Sequence, residues 1–254
     1  MPVIHGLDRF REALRGFEDS YVLIGGGACS ILFSASGLDF RATHDLDVVI
    51  VSERKDAAFE GALWSFIEAG GYECGKRSDT QAAYYRFVLD KEKGGASDYP
   101  RMIELFARHP DIELAAGAHL TPLPASDDDI ASLSAIILDD GYYEFLLQGA
   151  AQVDGLTVPD VLHIIPLKMR AHIDNNRLSD EGVFVSDKNR KKHRNDVVAL
   201  LDLLPGSARL VLDGQLRDDA MVFLEGLRNH ASERPQKDRE RLLEAADFLE
   251  SVYI

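Results

Sequence analysis

Apolar residues recur at Leu7, Phe10, Leu14 and Phe17 with charges between them, a spacing that predicts an amphipathic helix over residues 5–18. The period then changes. Tyr21-Val22-Leu23-Ile24 is an unbroken apolar run that predicts a short buried strand, and it leads directly into Gly25-Gly26-Gly27. Ala28 to Phe33 follows as the start of a helix, which makes a strand, glycine turn and helix in sequence. A second strand is predicted from Asp45 to Val51, and a helix over residues 55–69 that ends at Gly70-Gly71. Tyr84 to Leu89 and Met102 to Phe106 read as further strands. Between residues 130 and 158 two apolar runs flank Asp139-Asp140-Gly141, a hairpin signal. From Pro159 helices are predicted at 159–175, 188–204, 217–230 and 236–252, joined by the polar stretch Ser179 to Asp187 and by Pro205-Gly206. The expected fold class is α/β (α+β), with a mixed-sheet lobe over residues 1–158 and a helical lobe over residues 159–254.

Composition narrows the setting. A chain of 254 residues that is 46% hydrophobic can bury a sizeable core. Its formal net charge of -15 argues against a surface that grips a nucleic-acid backbone throughout, so any such contact has to be local. Cys29 and Cys74 are too few for a disulfide framework, and neither a signal-peptide pattern nor a membrane-length apolar run is present. The expectation is a cytoplasmic protein with no membrane partner.

Candidate chemistry centres on Asp45-Leu46-Asp47. Residues i and i+2 of a strand share a face, so the two carboxylates project together while Leu46 turns into the core. Adjacent carboxylates repel one another, and a hard divalent cation such as Mg²⁺ or Mn²⁺ removes that penalty. The plainer alternative is a strand start at the solvent edge, partnered by Arg41 or His44. Gly25, Gly26 and Gly27 allow backbone N–H groups to approach phosphate oxygens at a helix N-terminus, or simply allow tight helix–strand packing. Glu104 is the one acid in the apolar strand Met102 to Phe106. It is expected either to share the cation with Asp45 and Asp47 or to pair with Arg86 or Arg101.

The helical lobe adds three features. Lys168 sits one helical turn from His172 and suits a triphosphate, although a surface lysine is the commoner fate. Asp196 lies at the edge of the apolar stripe Val197, Leu200, Leu201 and Leu204. It can orient Lys168 or His193, act as a base, or pair with Lys192. The basic run Lys188 to Arg194 is a solvated face, or the landing place for a nucleic-acid acceptor in an otherwise acidic chain.

In order, Val22-Leu23-Ile24-Gly25-Gly26-Gly27-Ala28 and Arg41-Ala42-Thr43-His44-Asp45-Leu46-Asp47 resemble the first motif of the AbiEii-type nucleotidyltransferases. Leu167-Lys168-Met169-Arg170-Ala171 and Arg194-Asn195-Asp196-Val197-Val198-Ala199-Leu200 resemble that family's second half. The resemblance implies a polymerase-β-like nucleotidyltransferase fold, Mg²⁺ dependence and an NTP substrate. It implies that Asp45 and Asp47 bind metal, that Gly25 to Gly27, Arg41 and Lys168 hold the nucleotide, and that Asp196 is the catalytic acid of the helical lobe. Family members act as toxins of toxin–antitoxin and phage-defence systems, some by modifying tRNA. Gly27 departs from the pattern, standing where many relatives carry Ser or Thr.

The expected activity is transfer of a nucleoside monophosphate from an NTP to a hydroxyl of a tRNA or protein acceptor, with release of pyrophosphate. Glu104 or Asp196 would take the acceptor proton. The acceptor would land near residues 188–194, and a cognate antitoxin is the expected protein partner. Two alternatives stand beside it: a non-catalytic nucleotide-binding interaction protein, and a transferase acting on a small aminoglycoside-like hydroxyl compound.

Overall fold

Tyr21–Ile24 (β1) is buried at every position, as an apolar run without alternation requires. A computed structural model describes this strand and residues 4–51, 56–74, 83–89, 98–107, 136 and 139–254 of the chain. β1 opens a five-stranded mixed sheet with Asp45–Ile50 (β2), Tyr72–Cys74 (β3), Ala83–Leu89 (β4) and Met102–Ala107 (β5), in the order β1-β2-β5-β4-β3. β2 and β5 run parallel, and the other neighbours pair antiparallel. The fold is mixed α/β followed by a helical region, as the hydrophobic pattern predicts.

Among the described residues three helices accompany the sheet: Leu7–Ala13 (α1), Gly25–Ala35 (α2) and Ala57–Gly70 (α3). α1 is shorter than its apolar spacing suggests because Gly6 and Gly16, with φ of 80° and 92°, bracket it. α3 is set at both ends by its own sequence. Asp56 accepts hydrogen bonds from the Ala58 and Phe59 N–H groups, and Gly71 closes the helix at φ 69°. Phe10 joins these parts, meeting Tyr21 and Phe66 edge-on at 5.4 and 5.6 Å.

Asp139-Asp140-Gly141 is not a hairpin turn. Asp139 accepts from the Tyr142 N–H and caps a helix, Asp140–Gln148 (α4), whose Tyr142, Tyr143, Phe145 and Leu146 are buried. An aspartate–glycine pair opens either structure, and here the helical spacing of the apolar residues decides. The hairpin lies instead at Asp154-Gly155, with φ of 51° and 71°, between Ala150–Val153 (β6) and Leu156–Pro159 (β7). β7 packs against edge strand β1.

Among the described residues the remaining helices are Val161–Asp180 (α5), Asp187–Leu200 (α6), Gly214–Ser232 (α7) and Gln236–Tyr253 (α8). α5 carries Pro166 in its interior, which cannot donate to the Leu162 carbonyl. The Tyr253 hydroxyl donates to that carbonyl at 2.8 Å, so the proline leaves no orphaned acceptor there. The chain forms two compact units, Met1–Ser126 with Ala150–Asp160, and Asp127–Gly149 with Val161–Ile254. Asp139 to Gly149 therefore group with the helices, not with the sheet as a single division at 158 would have them.

Candidate functional site

The glycine run is the N-terminus of α2 itself, not a turn ahead of a helix starting at Ala28. Only Gly25 needs the left-handed region, at φ 66°, to turn the chain from strand into helix. Each glycine also faces a different part of the segment that leads into β2. A Cβ on Gly25 would lie 1.7 Å from Asp47 Oδ2. One on Gly26 would lie 2.9 Å from Thr43 Oγ1 and 3.3 Å from an Arg41 guanidinium nitrogen. One on Gly27 would meet only ordinary contacts at 3.6 Å, the Asp45 carbonyl among them. The spacing from Arg41 to Asp47 is thus matched to glycine backbone: any side chain at position 25 would occupy the volume of the Asp47 carboxylate.

The sheet register extends this arrangement. Ile24 pairs with Asp47, Asp47 with Glu104, and Glu104 with Arg86. Paired residues on neighbouring strands share a face, so Asp45, Asp47, Glu104 and Arg86 project together. The intervening Leu46, Ile103, Leu105 and Phe87 are fully buried. Asp45 and Asp47 are half-buried, whereas Glu104 is only 5% exposed. Of the two arginines that could pair with Glu104, the structure selects Arg86. Its Nε and Nη2 donate to Glu104 Oε1 at 2.9 and 2.7 Å. A buried carboxylate requires such a partner.

Among the described residues no group of three or more His, Cys, Asp and Glu side chains is placed to hold a metal ion. Glu104, holding Arg86, does not complete a three-carboxylate set with Asp45 and Asp47. The donors that remain are two carboxylates on one strand face beside a glycine cradle. Hard oxygen donors in that number fit Mg²⁺, which takes one or two protein carboxylates and fills its other positions with water and phosphate oxygens.

Lys168 and Asp196 belong to the helical unit, and there they meet. Lys168 Nζ donates to Asp196 Oδ2 at 3.1 Å, with the two residues 3% and 1% exposed. Lys168 is therefore no surface lysine. Removing one member would strand the other's charge in the interior, a loss of about 3–5 kcal/mol. His172, one turn beyond Lys168 on α5, takes a separate role. Its neutral tautomer donates from Nδ1 to the Arg190 carbonyl at 3.0 Å and accepts at Nε2 from Asn176 at 3.1 Å. Burial first, and the nearby charge of Arg194 second, push the imidazole down to about 4.

The helical periodicity gave no notice of a second buried network. Arg170 donates to Asp174 at 3.0 Å and to Asp219 at 2.7 Å, and the Tyr142 hydroxyl donates to the same Asp219 oxygen at 2.7 Å. Gln215 donates to the other Asp219 oxygen at 2.8 Å. These contacts fasten α4, α5 and α7 together. Burial and Asp219 hold the Tyr142 hydroxyl well above the usual phenol range, so it remains a donor. Tyr142 reads as an apolar core residue in sequence, and only its hydroxyl could have hinted at a polar partner.

Among the described residues no helix is long and apolar enough to cross a membrane. Neither a protein family nor a curated protein matches the chain.

Proposed function

We propose that the protein is a Mg²⁺-dependent nucleotidyltransferase of the AbiEii kind, moving a nucleoside monophosphate from an NTP to a hydroxyl acceptor. The observation that carries the reading is the fit of Gly25 against Asp47. Backbone at a helix N-terminus is brought against the Asp47 carboxylate, with no side chain between them. Phosphate oxygens suit the one and a hard cation suits the other. Asp45 and Asp47 would hold Mg²⁺ or Mn²⁺, which when bound supplies charge neutralisation at the phosphates.

The chain's own residues supply the rest. Gly25, Gly26 and Gly27 present backbone to the phosphates, and Arg41, whose guanidinium lies beside Gly26, adds a cation next to that backbone. The acceptor oxygen forms a bond to the α-phosphorus as the bond from that phosphorus to pyrophosphate breaks, and its proton passes to a carboxylate. Glu104, on the same sheet face as Asp45 and Asp47, is the candidate in this unit. A toxin or phage-defence role in the cytoplasm, controlled by a cognate antitoxin, belongs to the same reading and rests on the quoted motifs.

One observation favours a second reading, a nucleotide-responsive protein without turnover. The candidate base already holds a cation, Arg86 on Glu104. Wild type and Asp47→Ala are to be incubated with Mg²⁺, α-labelled NTPs, total tRNA and the polypeptide itself. The proposal expects label on an acceptor for wild type alone. NTP binding without transfer would favour the second reading, and equal transfer by Asp47→Ala would remove the first.

A further inference from the structure

A pocket of about 480 Å³ opens among α6, α7 and α8, lined by Lys191, Arg194, His230, Arg234, Arg241 and Asp238 among others. Lys191 and Arg194 stand one turn apart on α6. His230 is in the last turn of α7, Arg234 follows its end, and Asp238 and Arg241 stand one turn apart on α8. Helical spacing at i and i+3 turns each of these pairs to one side. Four permanent cations thus meet one carboxylate, in a chain whose net charge is -15.

Among the described residues the imbalance is relieved only at Lys191. Lys191 has Asp187 at 3.7 Å, but among the described residues no carboxylate pairs with Arg194, Arg234 or Arg241. Other arginines of the chain do find acids: Arg9 takes Asp98, Arg86 takes Glu104, Arg170 takes Asp174 and Asp219, and Arg228 takes Asp247 and Glu250. Arg234 instead donates from Nε to His230 Nε2 at 3.1 Å, which requires a neutral imidazole. Burial and the neighbouring Arg234 charge push the half-buried Arg194 guanidinium down, and burial with Arg194 and Arg234 does the same to His230. A dianionic or polyanionic ligand would relieve all of these strains together.

We propose that this pocket holds the phosphodiester backbone of an RNA, with Lys191, Arg194, Arg234 and Arg241 on phosphate oxygens and Asp238 on a ribose 2′-hydroxyl. The cations suit phosphate of any origin. Asp238 is the feature that selects a ribose, because a carboxylate repels phosphate but accepts a hydrogen bond from a 2′-hydroxyl, the group that distinguishes RNA from DNA. Among the described residues no Phe, Tyr or Trp lines the pocket, and the His230 imidazole is engaged by Arg234, so recognition runs mainly along the backbone. The basic run on α6 supplies half of the cations, and the other half comes from α7's end and α8. Binding here is independent of nucleotidyl transfer, and its test reads retention of RNA and not turnover.

The test is fluorescence anisotropy of the full chain with a labelled RNA stem-loop and with the DNA of the same sequence, across a salt series. Wild type should bind the RNA, more tightly than the DNA. Arg194→Gln with Arg241→Gln should weaken RNA binding about tenfold or more and flatten the salt slope by about 1.5, two phosphate contacts being lost. Arg241 is exposed, so Arg241→Gln alone serves if the double variant fails to fold. Arg228→Gln, at a cation already paired, should leave the affinity unchanged, and Asp238→Asn should narrow the gap between RNA and DNA. Equal affinity of wild type and the Arg194 and Arg241 variants would overturn the proposal. So would binding of inorganic pyrophosphate with no binding of RNA, or equal binding of RNA and DNA by wild type.

Discussion

Gly25, like Gly6, combines a left-handed backbone with a close approach that leaves no room for a Cβ. Its φ of 66° disfavours any L side chain, and its missing Cβ leaves room for Asp47 Oδ2 at 1.7 Å. Gly37 has φ 72° and nothing within 4 Å of the same position, so it isolates the backbone effect. Gly37→Ala should cost about 1–2 kcal/mol, the usual penalty for the left-handed region. Gly25→Ala should cost that and a further ~1–3 kcal/mol of overpacking, because the Asp47 side chain must move. Urea unfolding of both variants measures the difference, and equal losses would mean that the close approach is not tight. Gly27 behaves oppositely. Its Cβ position is in ordinary contact and its φ is helical, so a small side chain there is accommodated. Crowding therefore does not impose glycine at position 27.

At the scale of elements, long periodic runs were legible and local polar choices were not. β1, β2, β4 and β5 and the four helices after residue 160 follow the apolar pattern closely, because burial of one face fixes each element's type. The Asp139-Asp140-Gly141 signal misled because capping and turning use the same residues. Glu104 stood open between metal and arginine. Only the strand order, which sequence periodicity does not carry, brings Arg86 into register with it. The cationic pocket was half visible: Lys191 and Arg194 belong to an evident basic run, whereas Arg234 and Arg241 sit in a stretch that reads as an ordinary charged helix start.

The α5–α6 pair offers its own prediction. His172 is held neutral between Arg190 and Asn176, with its titration pushed down to about 4 from an ordinary value near 6.5. The unfolded chain takes up this proton first on acidification. Stability tied to His172 is therefore present above about pH 6.5, falls as pH drops toward 4 and is constant below that. A loss of about 1–3 kcal/mol between pH 7 and pH 4.5 is expected from this group. His172→Gln should shrink the difference in urea midpoint between those two pH values. An unchanged difference would assign the acid sensitivity to other groups.

The whole molecule is strongly acidic, with 43 Asp and Glu against 28 Lys and Arg, so its average field repels the anionic ligands considered for it, nucleotide and RNA. Function then depends on where that field is locally reversed or neutralised. A cation on Asp45 and Asp47 would do so in the first unit, and the pocket of Lys191, Arg194, Arg234 and Arg241 does so in the second. The two are separable by experiment. Nucleotide binding through the aspartates should require a divalent cation, whereas RNA retention by the arginines should not, and should fall steeply with salt. Calorimetric titration of each NTP into wild type and Asp47→Asn, with and without Mg²⁺, tests the central claim most directly. At least one NTP should bind wild type only when Mg²⁺ is present, with Asp47→Asn weakening that binding about tenfold or more, or ~1.4 kcal/mol. Absence of Mg²⁺-dependent binding in the wild type, or equal binding by Asp47→Asn, would contradict it.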